Sequence, residues 1–234
     1  MTESQFLVAL GQIIVIDILL SGDNAIVIAL AARSLPKHQQ RWAILGGAAG
    51  AVGLRIVFAT VIIYLMAIPY LKLVGGVLLL WIAIKLLLPD DDGKDGVEAK
   101  PGNTKLLGAM GTIIMADAVM SLDNVIGIAA AAKGSILLLS IGLAISIPIC
   151  IFGATLVLRL LGRFPWLVTG GCALLGWIAG DIAYADPGIA HLTEGLHPYW
   201  HHAVAGATMM LVVIVGHAIA RHLARRRKVL DIAE

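Results

Sequence analysis

Long apolar runs separated by short polar loops dominate this chain, and extended alternation of polar and apolar residues is absent. A membrane-spanning helix needs about 20 mostly apolar residues. Seven stretches satisfy this requirement, at residues 6–32, 42–66, 69–88, 105–132, 135–159, 165–183 and 202–223. The missing period-two alternation argues against a transmembrane β-barrel. The pattern therefore predicts an all-α, polytopic membrane protein with seven transmembrane helices.

The composition supports a membrane protein. Hydrophobic residues make up 59% of the chain and charged residues 14%, whereas soluble globular proteins carry roughly 25% charged residues. Such a chain cannot cover itself with polar groups, which argues against a cytosolic enzyme, a nucleic-acid-binding protein and a disordered scaffold. Cys150 and Cys172 lie in apolar runs. We interpret them as small buried residues and not as a disulfide framework.

The distribution of lysine and arginine predicts the orientation in the membrane. Seven spans place the two termini on opposite sides. Fourteen basic residues then fall on the side of the C-terminus, Lys72 and Lys133 fall on the other side, and Arg55 lies within a span. Cytoplasmic loops are enriched in basic residues. The C-terminus is therefore predicted to be cytoplasmic and the N-terminus external, in the cell inner membrane.

An internal repeat divides the chain. Asp17–Asn24 matches Asp117–Asn124 at an offset of 100, and Trp81–Ala83 matches Trp177–Ala179 at an offset of 96. Copies with an odd number of spans insert with opposite orientations, an arrangement common in secondary transporters. Within a single membrane domain, residues 1–234, the predicted parts are repeat one at 6–88, a flexible cytoplasmic linker at 89–104, repeat two at 105–183, a seventh helix at 202–223 and a basic cytoplasmic tail at 224–234.

Four aspartates lie inside the first and fourth predicted spans, at matched positions. Each costs about 2.5–3.5 kcal/mol at a helix centre on insertion scales. Carboxylate, amide and hydroxyl oxygens suit Mg²⁺, Ca²⁺ and Mn²⁺, and neither motif contains the His or Cys that Zn²⁺ or Cu⁺ would favour. The alternative is buried aspartates satisfied by hydrogen bonds between helices. The predicted metal ligands are Asp17, Asp23, Asn24, Asp117, Asp123 and Asn124, with Ser21, Ser121, Met120 and Arg55 as accessory residues.

Two further features refine this predicted site. Gly22 precedes Asp23, and local unwinding there would turn the carboxylate towards the other polar residues. The second copy has Leu122 at the matching position, so any break there is expected to be milder. Arg55 lies mid-span, where the second repeat has Ile151. We expect it to pair with a site aspartate or to gate access, the alternative being a side chain that snorkels to the interface.

The segment between the last two predicted spans contains acidic residues and histidines but no lysine or arginine. We predict a polar interfacial loop, with collection or release of metal as the alternative. If the ion site lies at the midplane, Asp186 and these histidines should tolerate alanine. The acidic residues and histidines of this segment are Asp186, His191, Glu194, His197, His201 and His202.

The two acidic motifs resemble those of the TerC family of integral membrane proteins, over essentially the whole chain. The resemblance is carried by Asp17–Leu30, with its Ser-Gly-Asp-Asn-Ala core, and Asp117–Ala132, with its Ser-Leu-Asp-Asn-Val core. The short length and the Leu-Leu-Trp-Ile-Ala block resemble the compact branch found with manganese-responsive riboswitches. The resemblance implies manganese efflux and assigns the matched Asp and Asn residues to the ion site. Tellurite and calcium phenotypes of related members leave the metal open.

The predicted function is export of a divalent cation, Mn²⁺ first and Ca²⁺ or another divalent ion second, by alternating access. Four carboxylates facing one arginine cannot all stay ionised without metal, which makes proton antiport the expected coupling. One alternative is a membrane accessory protein that delivers Mn²⁺ to secreted or membrane enzymes. An intramembrane aspartyl protease is disfavoured. Its catalytic dyad consists of two aspartates that share one proton, whereas the four carboxylates predicted here suit a cation better. No enzymatic activity or prosthetic group is expected. The expected partners are a divalent cation, the lipid bilayer and a second copy of the chain, without nucleic acid.

Overall fold

The computed structural model describes most of the chain. The described residues are 3–20, 22–66, 68–88, 102–132, 135–193, 197 and 199–233. Two of the predicted site positions lie outside this description, namely Ser21 and the side chain of Asp123. The loop residue Glu194 and linker residues 89–101 lie outside it as well. Described residues 102–104, which we assigned to the linker, belong to a helix.

The described residues form helices, and no strand occurs among them. The longer helices are α1 (Glu3–Leu20), α2 (Gly22–Ala32), α3 (Lys37–Met66), α4 (Leu71–Leu87), α5 (Gly102–Ala132), α6 (Ile136–Arg163), α7 (Trp166–Tyr184) and α9 (Tyr199–Ala233). A 3₁₀ turn at Pro187–Ile189 and the short helix α8 (Ala190–Thr193) connect the last two.

Helix length decides how many of these elements can cross a bilayer. Five helices, α3, α5, α6, α7 and α9, are each long and apolar enough, and α1 with α2 adds a sixth span if this bent pair counts as one. Helix α4 has 17 residues, or about 25 Å at 1.5 Å per residue, which is the short end of the range for a span. The all-helical, multi-pass class is therefore confirmed for the described residues, while the seven-span inverted repeat stays a prediction.

The chain separates into two compact units. The first contains Met1–Leu71 and Lys100–Phe164, and the second contains Lys72–Ala99 and Pro165–Glu234. In the first unit, α3 packs along α5, and α6 packs along both α1 and α2. Gly47 makes the first of these contacts possible, because a Cβ at this position would lie 2.7 Å from Cδ1 of Ile113. Small residues of this kind allow close helix approach where no water drives association.

An apolar cluster joins α1, α5 and α6 in the first unit. We call it the apolar cluster; its buried members are Ala9, Ile13, Ile128, Ala132, Leu138, Leu139 and Leu143. Three residues of α3, Val52, Ile56 and Ala59, pack against it. Because these side chains come from four separate helices, the cluster fixes their mutual positions.

In the second unit, α7 packs along α9, and Asp186 secures the start of α4. The Asp186 side chain accepts hydrogen bonds from the backbone N–H of Leu73 at 3.0 Å and from that of Gly188 at 2.6 Å. Only 2% of Asp186 is exposed. The first N–H groups of a helix have no partner within the helix. Asp186 is therefore a buried cap, which corrects its assignment to a polar interfacial loop.

Replacing Asp186 by alanine is expected to lower the free energy of unfolding by roughly 1–3 kcal/mol, because two partly buried N–H groups lose their buried acceptor. Asp186→Asn keeps one acceptor oxygen and should lose less. Thermal unfolding of the purified protein in detergent measures this effect. His191→Ala, at an exposed position of the same segment, is the control. An Asp186→Ala variant as stable as this control would contradict the capping role.

Candidate functional site

The first unit brings together polar residues from three membrane helices. Asp17 lies near the end of α1, Arg55 in the middle of α3, and Asp117 with Ser121 one turn apart on α5. Asp17 is 3% exposed, Arg55 4% and Asp117 6%. Charged groups enclosed in this way are retained only when they are paired. The cluster thus joins the two matched motifs of the sequence repeat.

Arg55 bridges the two aspartates. Its Nη1 donates to Oδ1 of Asp17 at 2.5 Å, and its Nη2 donates to Oδ1 of Asp117 at 2.5 Å. Its Nε lies 3.0 Å from Oδ2 of Asp117, which completes a bidentate pair. The planar guanidinium matches this geometry, whereas a lysine ammonium would not. The predicted pairing of Arg55 with a site aspartate is confirmed, and it extends to both motifs.

Ser121 completes the hydrogen bonding of this ionic cluster, by which we mean Asp17, Arg55, Asp117 and Ser121. The Ser121 hydroxyl accepts from Nε of Arg55 at 2.7 Å and donates to Oδ2 of Asp117 at 3.0 Å. Its i, i+4 spacing from Asp117 places both side chains on one face of α5. Two carboxylates and one guanidinium leave the ionic cluster with a formal charge of −1 when both aspartates are ionised.

The first motif is broken where the sequence predicted it. Helix α1 ends at Leu20 and α2 begins at Gly22. The axes of the two helices make an angle of 51° with each other. The second motif lies in α5, which is continuous through Leu122. Glycine in place of leucine accounts for the difference, since glycine lacks a Cβ and destabilises a helix interior.

The break places Asp23 and Asn24 in different environments. Asp23 is half-buried, and its Oδ1 accepts from the backbone N–H of Asn24 at 2.8 Å. Asn24 is 2% exposed, and neither its Oδ1 nor its Nδ2 has a hydrogen-bond partner among the described residues. A buried amide without partners costs roughly 1–3 kcal/mol. Buried polar groups in proteins usually have a partner, and a bound ion or a water molecule would supply one for the Asn24 amide.

The remaining predicted residues lie elsewhere on α5. Asn124 is half-buried and has interactions of its own. Met120 is buried but does not line the cavity beside Asp117. Among the described side chains, no group of three or more His, Cys, Asp or Glu residues is arranged to hold a metal. The two carboxylates that converge are held by Arg55 instead.

A cavity of about 20 Å³ adjoins the ionic cluster. A void of this size holds one water-sized sphere. Its polar lining comes from Asp17, Arg55, Asp117, Ser146 and Cys150, and its apolar lining from Ile28, Ala48, Ala51, Val52 and Ile147.

Ser146 was not predicted to line this cavity, and Cys150 was predicted to be a small buried residue of an apolar run. They lie one turn apart on α6, with Pro148 between them. Two small polar residues at i and i+4 within an otherwise apolar span were the available signal.

A second cavity of about 260 Å³ lies further along α3. It is lined by Ile56, Ala59, Thr60, Ala132, Ser135, Ile136 and Leu139. Two members of the apolar cluster, Ala132 and Leu139, line the large cavity, and Val52, which packs against the cluster, lines the small one. Both cavities therefore adjoin the same group of packed aliphatic side chains.

The helices and the buried ionic cluster define a multi-pass helical membrane protein with charged groups inside its spans. The model of the integral membrane protein TerC family matches residues 2–228, and the chain belongs to this family. This confirms the resemblance drawn from the two acidic motifs.

Two relatives illustrate the similarity. The chain is 40% identical to the "Uncharacterized membrane protein YjbE" of Bacillus subtilis (strain 168), over 79% of this chain and 83% of the relative. It is 26% identical to the "UPF0053 inner membrane protein YgdQ" of Escherichia coli (strain K12), over 70% of this chain and 75% of the relative. No solved structure matches the chain.

Proposed function

We propose that this protein exports a divalent metal cation, Mn²⁺ first, through a site built from the two acidic motifs. The observation that carries the proposal is the convergence of Asp17 and Asp117, buried and from separate spans, beside a cavity of about 20 Å³. Buried carboxylates in membrane spans are expensive and mark ion pathways. Here they occur at matched positions of a sequence repeat, which a purely structural ion pair would not require.

The donor set fits a hard cation. Carboxylate, hydroxyl and amide oxygens are the ligands that Mn²⁺, Mg²⁺ and Ca²⁺ prefer. Asn24 contributes a buried amide whose oxygen has no hydrogen-bond partner within the described residues. Asp23, half-buried at the start of α2, lies next to it in sequence. The choice of Mn²⁺ rests on the manganese efflux that the TerC resemblance implies.

The helix packing supports the inverted repeat and alternating access. Helix α3, the second span of the first repeat, packs on α5, the first span of the second repeat, and α6 packs reciprocally on α1 and α2. Reciprocal pairing is expected of two copies related by a pseudo-twofold axis. We assign the N-terminus to the outside of the inner membrane, which places the larger cavity towards that side. The apolar cluster then forms the closed outer barrier.

Proton antiport is the proposed driving force, and it predicts a dependence on the pH gradient. In inside-out vesicles, protons leave the lumen as Mn²⁺ enters, so an acidic lumen should accelerate Mn²⁺ uptake. One pH unit supplies about 1.4 kcal/mol per proton exchanged. Vesicles from exporter-deficient cells, with and without the protein, measure this uptake. Protein-dependent uptake at the same rate with and without the gradient would contradict antiport.

Reconstitution tests whether the protein transports alone. Purified protein in liposomes should mediate Mn²⁺ flux that protein-free liposomes lack. Binding of Mn²⁺ without any flux would favour the alternative of an accessory protein that passes the ion to a partner.

A further inference from the structure

We propose that the guanidinium of Arg55 is the resting occupant of the cation site, and that a divalent cation binds by displacing it. The inference rests on the proposed function and concerns how the same site is filled and emptied. It assigns to Arg55 the role of a tethered counter-cation. If Arg55 only held the helices together, its guanidinium would stay in place while the ion binds.

The hydrogen bonds of Arg55 support this role. They engage Oδ1 of Asp17, both carboxylate oxygens of Asp117 and the hydroxyl of Ser121. These are oxygens that a hard cation would take as ligands, at distances of about 2.0–2.6 Å. An oxygen held at 2.5–3.0 Å by a guanidinium N–H cannot turn the same lone pairs to a metal. A metal can use these lone pairs only after the guanidinium has left them, which favours displacement of Arg55 from at least one carboxylate.

The available space leads to the same conclusion. The cavity bounded by Asp17, Arg55 and Asp117 measures about 20 Å³, enough for one water-sized sphere. A cation that entered it without moving Arg55 would lie next to a positive charge in a poorly screened interior. Repulsion and competition for the same oxygens both favour exchange over co-occupancy.

Exchange has a consequence for the transport cycle. An exporter must return its empty site across the barrier, and two ionised carboxylates without a cation would make that step costly. Arg55 lowers the formal charge of the ionic cluster from −2 to −1 during this return, and the antiported proton would neutralise the charge that is left. Exchange of one Mn²⁺ for another needs no empty return. Loss of Arg55 should therefore slow net export of Mn²⁺ and leave the exchange of one Mn²⁺ for another intact.

Arg55→Gln tests this separation in proteoliposomes. Binding of Mn²⁺ measured by calorimetry should tighten by at least about tenfold, because the competing occupant is gone. Mn²⁺–Mn²⁺ exchange should persist, while net Mn²⁺ flux should fall by at least about tenfold relative to the wild type. Weaker or unchanged binding, or equal loss of exchange and net flux, would overturn the inference. Arg55→Lys, which keeps the charge without the bidentate geometry, should give intermediate affinity and net flux.

Guanidinium itself provides a second test. In Arg55→Ala, low-millimolar guanidinium should weaken Mn²⁺ binding, restore net flux and raise the thermal stability of the metal-free protein. Urea, which is planar and uncharged, should do none of these, and the wild type should not respond to either compound. A transporting wild type combined with an unresponsive Arg55→Ala would overturn the inference and leave the proposed function intact. Absence of Mn²⁺ binding in the wild type and in every variant would overturn both.

Discussion

Asp117→Asn is expected to abolish protection against manganese in an exporter-deficient cell. The Asp117 carboxylate accepts three of the hydrogen bonds in the ionic cluster and supplies one of its two negative charges. An amide removes that charge and turns an N–H₂ group towards the donors of Arg55. Loss of one charged ligand should weaken Mn²⁺ binding by at least tenfold, or about 1.4 kcal/mol. Asp17→Asn should act in the same direction.

Membrane insertion should survive these substitutions, because removing an intramembrane charge lowers the cost of insertion. Survival on manganese is therefore compared at matched membrane levels of each variant. Asp181→Asn is the control, since this carboxylate lies on α7 with its side chain 48% exposed. Full protection by Asp17→Asn and Asp117→Asn would show that these carboxylates are not the transport site.

Arg55→Leu is expected to destabilise the metal-free protein by about 3–5 kcal/mol, the cost of breaking a buried ion pair from one side. The substitution leaves Asp17 and Asp117 buried without their shared counter-charge. Adding Asp17→Asn to Arg55→Leu should recover part of this loss, because only one carboxylate then stays unpaired. The double-mutant cycle should therefore give a clear coupling energy between Arg55 and Asp17.

Thermal unfolding in detergent, without divalent metal, measures the four proteins of this cycle. Saturating Mn²⁺ should narrow the difference in stability between Arg55→Leu and the wild type, because the variant lacks the competing guanidinium, binds the ion more tightly and is stabilised more by it. Additive effects of the two substitutions would show that the pairing of Arg55 with Asp17 carries no net energy.

Local features of the chain were predictable because they depend on residues close in sequence. Apolar runs marked the spans, since a helix in lipid satisfies its own backbone hydrogen bonds. The Gly22-Asp23 pair indicated a break between α1 and α2, and the matched motifs singled out Asp17 and Asp117 as a pair. The family also followed from these motifs. None of these predictions required knowledge of how one helix is rotated against another.

The tertiary structure decided which polar groups meet. Arg55 is 38 residues from Asp17 and 62 from Asp117, and the sequence could not show that one guanidinium serves both. It also could not place Cys150 beside them or bury Asp186 as a cap for α4. These contacts depend on the rotation and crossing of packed helices, which many side chains set together. Sequence periodicity describes one helix at a time, and the ionic cluster exists only where three helices pack together.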